Sequence, residues 1–175
     1  MVFRDATAND ATAIACLHAE SWRSAYRGTF SDDYLESRVY EERKENWHRK
    51  FSEVSHKPMF AIVAETGAEL AGFACMYPDE DAVFGALLEN LHVAPSLTGQ
   101  GIGRRLLSEV VHRLQAKGSG GGLYLWVIEQ NYRAREFYAK AGAILAGSEV
   151  HCMPDGQRVV ALRCHWPDPQ KLLLP

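Results

Sequence analysis

The chain has 175 residues, of which 47% are hydrophobic and 23% charged, and a formal net charge of −3; these values are typical of a globular protein of one domain, residues 1–175. The slightly acidic balance argues against nucleic-acid binding, which normally needs a basic surface. The sequence has no apolar run of roughly 18 residues and no apolar signal-peptide core, so it predicts a cytoplasmic protein with no membrane partner.

The first half of the chain predicts two helices between a short strand and a hairpin. Apolar residues at helical spacing define the helices. Asn9 and Asp10 can cap the first helix, and Ser31 with two following aspartates can open the second. In chain order the predicted elements are a strand over 2–6, helices over 11–26 and 31–51, strands over 60–65 and 70–77, and a loop over 78–86.

The second half predicts strands and helices in alternation, followed by a closing hairpin. Glycines at positions 118 and 142 end the two helices. The predicted elements are a strand over 87–95, a helix over 103–118, a strand over 123–128, a helix over 131–142, strands over 143–153 and 157–166, and an irregular tail over 167–175. Helices therefore cover a mixed sheet, which is an α/β architecture.

The positions of cysteine and histidine predict no metal site. The four cysteines, at positions 16, 75, 152 and 164, form no closely spaced pair, and the seven histidines are equally dispersed. Metal sites are usually marked by such residues a few positions apart. We therefore expect four unpaired thiols and no bound metal.

The most informative segment, LENLHVAPSLTGQGIGRRLL, joins a strand to a helix through a glycine-rich turn. The first turn of a helix has unpaired N–H groups and a partial positive charge, and glycines allow an anion to approach closely. The turn can therefore hold a phosphate, or it can simply be a tight connection. The P-loop pattern GxxxxGK[ST] is absent, and the dinucleotide pattern GxGxxG fails because Arg104 occupies its last position.

Two segments together resemble the GNAT superfamily of acetyl-CoA-dependent N-acetyltransferases. LENLHVAPSLTGQGIGRRLL is similar to the family's acetyl-CoA signature, a strand with Val-x-Pro followed by Q/R-x-x-G-x-G/A at a helix start. LWVIEQNYRAREFYAKAGA is similar to the later strand–helix unit, with its Asn, Ala and Phe-Tyr followed by Lys-x-Gly. The resemblance implies a GNAT-like fold with a central, mostly antiparallel sheet of about seven strands, splayed in the middle and flanked by about four helices.

Thr98 departs from the family's pattern, which has Gln or Arg at this position. A long polar or cationic contact to the cofactor is therefore missing, although the glycines and the backbone donors remain. Gln100, Arg104 or Arg105 could compensate, so we expect weakened or re-routed phosphate contacts.

The resemblance also implies which residues bind the co-substrate, acetyl-CoA. The pantetheine arm pairs with the backbone of one strand as an added strand would, and the pyrophosphate lies on the amides of the glycine-rich turn. Asn131 matches a residue that hydrogen-bonds the arm, and it can also cap a helix. The implied set is Leu91, His92, Val93, Thr98, Gly99, Gln100, Gly101, Ile102, Gly103, Arg104, Asn131 and Tyr138.

The reaction that this family implies is direct attack of a neutral amine on the thioester. The backbone N–H of Val93 is the candidate for stabilising the oxyanion. Tyr138 falls on the family's acid position and can protonate the leaving thiolate, or it can be a packed core aromatic. Glu89 is the first candidate for a base: in a regular strand it shares a face with Leu91 and Val93, whereas a bulge would turn it elsewhere.

Further residues are weaker candidates for handling protons or for binding the acceptor. Glu129 and His92 are alternatives to Glu89 as a base or proton shuttle. Trp22 and Tyr26 are four residues apart and share one helix face, where they either pack in the core or line an acceptor pocket. Acidic residues at positions 20, 32 and 33 could attract a cationic amine, or they could be solvated caps.

We therefore expect an acyltransferase that acetylates a primary amine of a small molecule. One alternative is acetylation of a protein N-terminus or lysine, and another is a non-catalytic acyl-CoA-binding regulatory module. The expected partner is the amine acceptor, and the resemblance is also compatible with a homodimer.

Overall fold

A computed structural model describes residues 1–52, 58–67 and 69–174, and this part of the chain contains seven strands and four α-helices. The strands are β1 (Val2–Asp5), β2 (Phe60–Thr66), β3 (Glu69–Asp81), β4 (Gly85–Val93), β5 (Leu123–Ile128), β6 (Ile144–Cys152) and β7 (Arg158–Trp166). The helices are α1 (Ala11–Ala25), α2 (Val39–Ser52), α3 (Ile102–Ala116) and α4 (Tyr132–Lys140). No helix among these is both long enough and apolar enough to cross a membrane.

All strands belong to one sheet with the order β1-β2-β3-β4-β5-β7-β6. Neighbouring strands are antiparallel except β4 and β5, which are parallel. In the described sheet, β4 and β5 pair only at Ala86 with Leu123 and at Leu87 with Tyr124. Beyond these two pairs the strands diverge, which confirms the expected splayed, mostly antiparallel sheet.

The helices form a layer on each face of the sheet because the strands place alternate side chains on opposite faces. On β3, Phe73 and Cys75 pack with α1 and α2 in one core, which includes the buried Trp47. Ala74 and Met76 pack on the other face with buried side chains of α3 and with β5.

The prediction of a loop over residues 78–86 is wrong. Strand β3 continues to Asp81 and β4 begins at Gly85, so that only residues 82–84 form the turn. The ladder shifts register between Tyr77, opposite Leu87, and Asp81, opposite Gly85. This irregularity accommodates Pro78, whose missing N–H normally excludes proline from a regular inner strand.

The helix termini also differ in detail from the predictions. Ser31 caps the second helical stretch as expected, because its Oγ accepts from Tyr34 N–H at 3.3 Å, but the stretch begins with a π-helical turn over Tyr34–Arg38. Asp10 precedes α1, but its carboxylate accepts from Thr7 N–H at 2.7 Å and makes no hydrogen bond to the helix. The tail contains a 3₁₀ turn over Pro169–Leu172, and Pro175 lies outside the described residues.

Candidate active site

A cavity of about 860 Å³ occupies the gap between the diverging strands. Residues 88–93 of β4 and 125–128 of β5 form its middle. The turn before α3 and the start of α4 line one end of it, and residues of α1 and α2 line the remainder. Within the described residues, no group of three or more His, Cys, Asp or Glu side chains could hold a metal ion.

The glycine-rich turn places free backbone donors at one end of this cavity. Gly101 is the N-cap of α3, with φ 80°, and it has no side chain to accept from the helix amides. The N–H of Arg105 bonds to the Gly101 carbonyl at 3.1 Å, so the amides before it lie in the unpaired first turn. Residues 101–104 line the cavity, and this end of it is therefore chemically suited to an anion.

Gly103 is favoured at its position by close packing, since it does not have a positive φ. A Cβ built on it would lie 3.2 Å from Cζ of Phe137. The glycine therefore allows α3 and α4 to approach closely beside the cavity.

Arg133 lies beside Thr98, where the family signature usually has the long side chain of Gln or Arg. The sequence analysis did not identify this residue. Its guanidinium donates to Thr98 Oγ1 at 2.7 Å, and both residues line the cavity. The residues expected to compensate are less well placed. Arg104 lines the cavity but donates to the Lys171 carbonyl at 3.3 Å, and Arg105 lies over the Phe3 ring at 4.5 Å.

Gln100, the third residue expected to compensate for Thr98, is exposed and does not line the cavity. Arg133 and Thr98 are 35 residues apart in the sequence, so the sequence alone does not indicate that their side chains meet. Their contact follows only once the fold places the start of α4 beside the turn.

Strand β4 offers an open backbone edge to the cavity. Ala94 N–H bonds to the Ala71 carbonyl of the β3 segment at 2.9 Å. Since amides alternate along a strand, the Val93 amide faces the opposite side, toward the gap. Leu91 and Val93 also line the cavity, so the predicted backbone donors lie together there.

Tyr138 is buried on α4 and lines the cavity with Tyr26 of α1. Burial, together with the neighbouring Tyr26 and Cys164, raises the pKa of the Tyr138 hydroxyl. The phenol therefore stays protonated at neutral pH, and no described residue forms a hydrogen bond with its hydroxyl. It is in a state to donate a proton, and its ring packs in the core as well.

Asn131 combines the two roles that the sequence left open. Its Oδ1 accepts from Ala134 N–H at 3.1 Å and so caps α4. The same side chain lines the cavity close to Tyr26, whose pKa is raised by burial, with Asn131 exerting a smaller, opposite effect. Asn131 therefore lies where the start of α4 approaches the end of α1.

Glu89 occupies a bulge in β4, because Cys75 pairs with Asn90 while Met76 pairs with Leu88. The bulge turns its carboxylate away from the face of Leu91 and Val93 and toward α2, where it pairs with Lys50. Asn90 Nδ2 donates to the same carboxylate at 2.9 Å. Glu89 still lines the cavity, whereas Glu129, the second candidate base, is exposed and does not.

His92 belongs to a neutral histidine pair between α1 and β4. Its ring centroid lies 4.4 Å from that of His18, and its Nδ1 lies 2.8 Å from Ser21 Oγ. Burial and the charge of Arg43 lower the pKa of His92 to about 3. An imidazole so hard to protonate is poorly suited to take a proton from an ammonium group at neutral pH.

The two aromatic candidates for the acceptor pocket lie in one cluster on α1 and the following turn. Trp22 stacks on Phe30, with centroids 5.4 Å apart, and meets Tyr26 edge-on at 5.3 Å. Both Trp22 and Tyr26 line the cavity, so they pack in a core and form a wall at the same time. The acidic residues at positions 20, 32 and 33 are exposed and lie outside the cavity lining.

Comparisons with known proteins agree with this arrangement. Residues 19–143 match the model of the acetyltransferase (GNAT) family. The chain is similar to the uncharacterized N-acetyltransferase YuaI of Bacillus subtilis strain 168, which is 29% identical over 167 residues, or 94% of this chain and 92% of the relative.

Two solved structures show the same fold. The PaiA N-acetyltransferase of Thermoplasma acidophilum, in complex with coenzyme A, is 24% identical with a TM-score of 0.68, and the match covers 91% of this chain and 96% of that one. A GCN5-related N-acetyltransferase of Rhodopseudomonas palustris is 17% identical with a TM-score of 0.74, covering 94% of this chain and 93% of the other.

Proposed function

The chain belongs to the GNAT family of acetyltransferases, and we propose that it transfers the acetyl group of acetyl-CoA directly to a primary amine of a small molecule. The observation that carries this proposal is one cavity with three kinds of group along it. Free helix amides of α3, the side chain of Tyr138 and the side chain of Glu89 all border this cavity.

The splayed strands and the adjoining starts of α3 and α4 hold the co-substrate. The amides of Ile102, Gly103 and Arg104 bind the pyrophosphate, and the Arg133 guanidinium supplies the cation that Thr98 cannot. The open edge of β4 pairs with the pantetheine amides as an added strand would. This places the thioester beside Val93 and Tyr138.

The chemistry requires two protons to leave the acceptor's ammonium nitrogen, one before it attacks the thioester and one afterwards, and one proton to reach the sulfur. Glu89 accepts a proton from the acceptor's ammonium group, directly or through water, and Lys50 keeps the carboxylate oriented. The Val93 amide stabilises the oxyanion as the C–N bond forms. Tyr138 donates its proton to the sulfur as the C–S bond breaks. The second proton on the nitrogen restores the phenol through water, and Glu89 releases the first proton to solvent.

A small acceptor fits the acceptor end of the cavity because buried or half-buried side chains of both helices close around it. These include His18 and Trp22 from α1 and Arg43 and Asn46 from α2. A protein acceptor would need an extended groove at this end.

The test is release of CoA from acetyl-CoA, followed with a thiol reagent across a panel of polyamines, aminoglycosides, amino acids and short peptides. We expect release that depends on a small-molecule amine, above the level of enzyme-free controls. Release with peptides alone would support acetylation of protein termini or lysines. Saturable acetyl-CoA binding without release from any acceptor would support a regulatory module.

A further inference from the structure

One cationic side chain at the acceptor end of the cavity has no complete carboxylate partner among the described residues. Among the described residues that line the cavity, Glu89 is the only carboxylate, whereas Arg43, Arg104 and Arg133 are all cationic. Arg104 and Arg133 belong to the phosphate end, and Glu89 is already paired with Lys50. Arg43 alone is left over at the acceptor end, which is therefore poorly suited to a polycation.

The guanidinium of Arg43 is fixed in place against the cavity wall. Its Cζ lies 4.6 Å from the Trp22 ring centroid, and its side chain is only 14% exposed. Its charge helps to lower the pKa of both His18 and His92, so it lies close to the two rings. A guanidinium stacked on an indole keeps its N–H edges free for a planar, bidentate partner.

The described residues do not supply that partner in full. The carboxylate of Glu42 lies 3.7 Å from the guanidinium of Arg43. Glu42 is already engaged, because it accepts from the Tyr34 hydroxyl at 2.7 Å and from Arg38 at 3.3 Å. Arg43 Nε is buried without a hydrogen-bond partner in the described part of the chain. The largely buried guanidinium is thus incompletely paired, and a carboxylate bound in the cavity would complete its pairing.

The neighbouring groups extend this anion site toward Glu89. Arg43, Asn46 and Lys50 are spaced i, i+3 and i+7, so they share one face of α2. Asn46 lines the cavity, and its Oδ1 accepts from Arg49 at 3.2 Å, which leaves its amide N–H groups as donors. One face of α2 therefore runs from an anion site to the paired carboxylate of Glu89.

We propose that the acceptor carries a carboxylate as well as its amine, and that Arg43 with Asn46 binds this carboxylate while the amine lies near Glu89. This inference rests on the proposed function and names its substrate class: small amino acids. It replaces the expectation that exposed acidic residues attract a cationic amine.

The experiment compares each acceptor with a neutral analogue of the same size. Rates of CoA release are measured for α-amino acids and their carboxamides, and for ω-amino acids of increasing length with theirs. The carboxamides of α-amino acids have less basic amines and hence more neutral amine at neutral pH, so intrinsic reactivity favours them. We expect kcat/KM to favour the acids nevertheless, by roughly 10- to 100-fold, as a charge-assisted hydrogen-bonded pair can provide.

Variants of Arg43 test whether this residue is the source of the preference. Arg43→Gln should reduce the acid-to-amide ratio to near one, and Arg43→Lys, which keeps the charge but loses the planar fork, should retain part of it. Arg38→Gln is the matched control, because Arg38 also contacts Glu42 but does not line the cavity. Circular dichroism and acetyl-CoA binding establish that each variant is folded.

The possible results distinguish a failure of this inference from a failure of the proposed function. Turnover of amides and simple amines that equals turnover of the acids would overturn the carboxylate site and leave the transferase intact. An equal loss of activity toward both classes in Arg43→Gln would show that Arg43 only supports the Trp22 wall. Failure of every acceptor, despite acetyl-CoA binding, would overturn the proposed function and this inference together.

Discussion

At the scale of single residues, the site depends on groups whose ordinary chemistry has been altered by burial. Tyr138 is a phenol with a raised pKa, and it faces a cavity where a thiolate would leave. Tyr26 lies near it and lines the same cavity. The hydroxyl is the part of Tyr138 that the chemistry needs, since the ring already packs in the core.

Replacing Tyr138 with Phe should separate these two contributions. We expect kcat to fall by roughly 10²- to 10³-fold, within the usual range for loss of a general acid, while KM for acetyl-CoA changes little. Because the pKa of Tyr138 is raised, the loss should persist across the neutral and mildly alkaline range. Steady-state kinetics from pH 6 to 9 measure this, with Tyr40→Phe as a control outside the cavity lining. Undiminished turnover would remove Tyr138 from the mechanism.

At the scale of elements, two strand–helix units act together although they are distant in sequence. The turn before α3 supplies backbone donors, and the first turn of α4 supplies Arg133, which bonds to Thr98 across the gap. In the proposed function, Arg133 of one unit supplies the long polar contact that Thr98 of the other unit lacks.

Replacing Arg133 with Ala should raise KM for acetyl-CoA about tenfold, the lower end of what a charge-assisted hydrogen bond contributes, because this side chain is exposed. With S-acetylpantetheine, which has neither the pyrophosphate nor the nucleotide phosphate, the difference between wild type and variant should disappear. Lys140→Ala removes a charge from the other end of α4 and is the control. Equal KM values for acetyl-CoA in wild type and Arg133→Ala would place the phosphate contact elsewhere.

At the scale of the whole molecule, the acceptor half is built around groups that must stay neutral. Trp47 Nε1 donates to His18 Nδ1 at 3.1 Å, and since an indole N–H can only donate, that imidazole accepts in its neutral form. Burial is the main cause of the lowered pKa of both His18 and His92. In acid, protonation of these two histidines therefore favours the unfolded chain.

The direction of the two pKa shifts predicts that the folded protein loses stability in acid. In the unfolded chain both histidines have a pKa near 6.5, while in the folded protein that of His92 is about 3 and that of His18 is also well below its ordinary value. Between these limits the unfolded chain binds more protons, so the free energy of unfolding decreases as the pH falls below about 6.5. Each histidine contributes at most ~1.4 kcal/mol per pH unit.

Thermal unfolding from pH 7 to 4.5 measures this dependence. His18→Gln keeps a carbonyl to accept from Trp47 but cannot be protonated, so its Tm should fall less steeply with pH than that of the wild type. His112→Gln, a change at an exposed histidine of α3, should leave the slope as it is. A His18→Gln slope equal to that of the wild type would contradict the prediction.

The sequence by itself determined the features that are local. Alternating and helical apolar patterns predicted most elements, and the glycine-rich turn with the later Asn and Phe-Tyr predicted the phosphate end, the β4 edge and Tyr138. Most of the predicted elements were confirmed because dihedral freedom, capping and periodicity act within a few residues. The roles assigned to the turn, the β4 edge and Tyr138 rest on the family resemblance and stay predictions. The strand through Pro78 was missed because its register shift depends on the partner strand.

Only the tertiary structure decided which distant side chains meet. The β4 bulge turned Glu89 toward Lys50, 39 residues away, and so chose between the two orientations that the sequence left open. Packing brought Arg133 to Thr98 and Arg43 to Trp22, and it left the acidic residues at positions 20, 32 and 33 outside the cavity. Such pairings depend on how helices cross a sheet and on what burial does to charge, and neither is encoded within a short stretch of sequence.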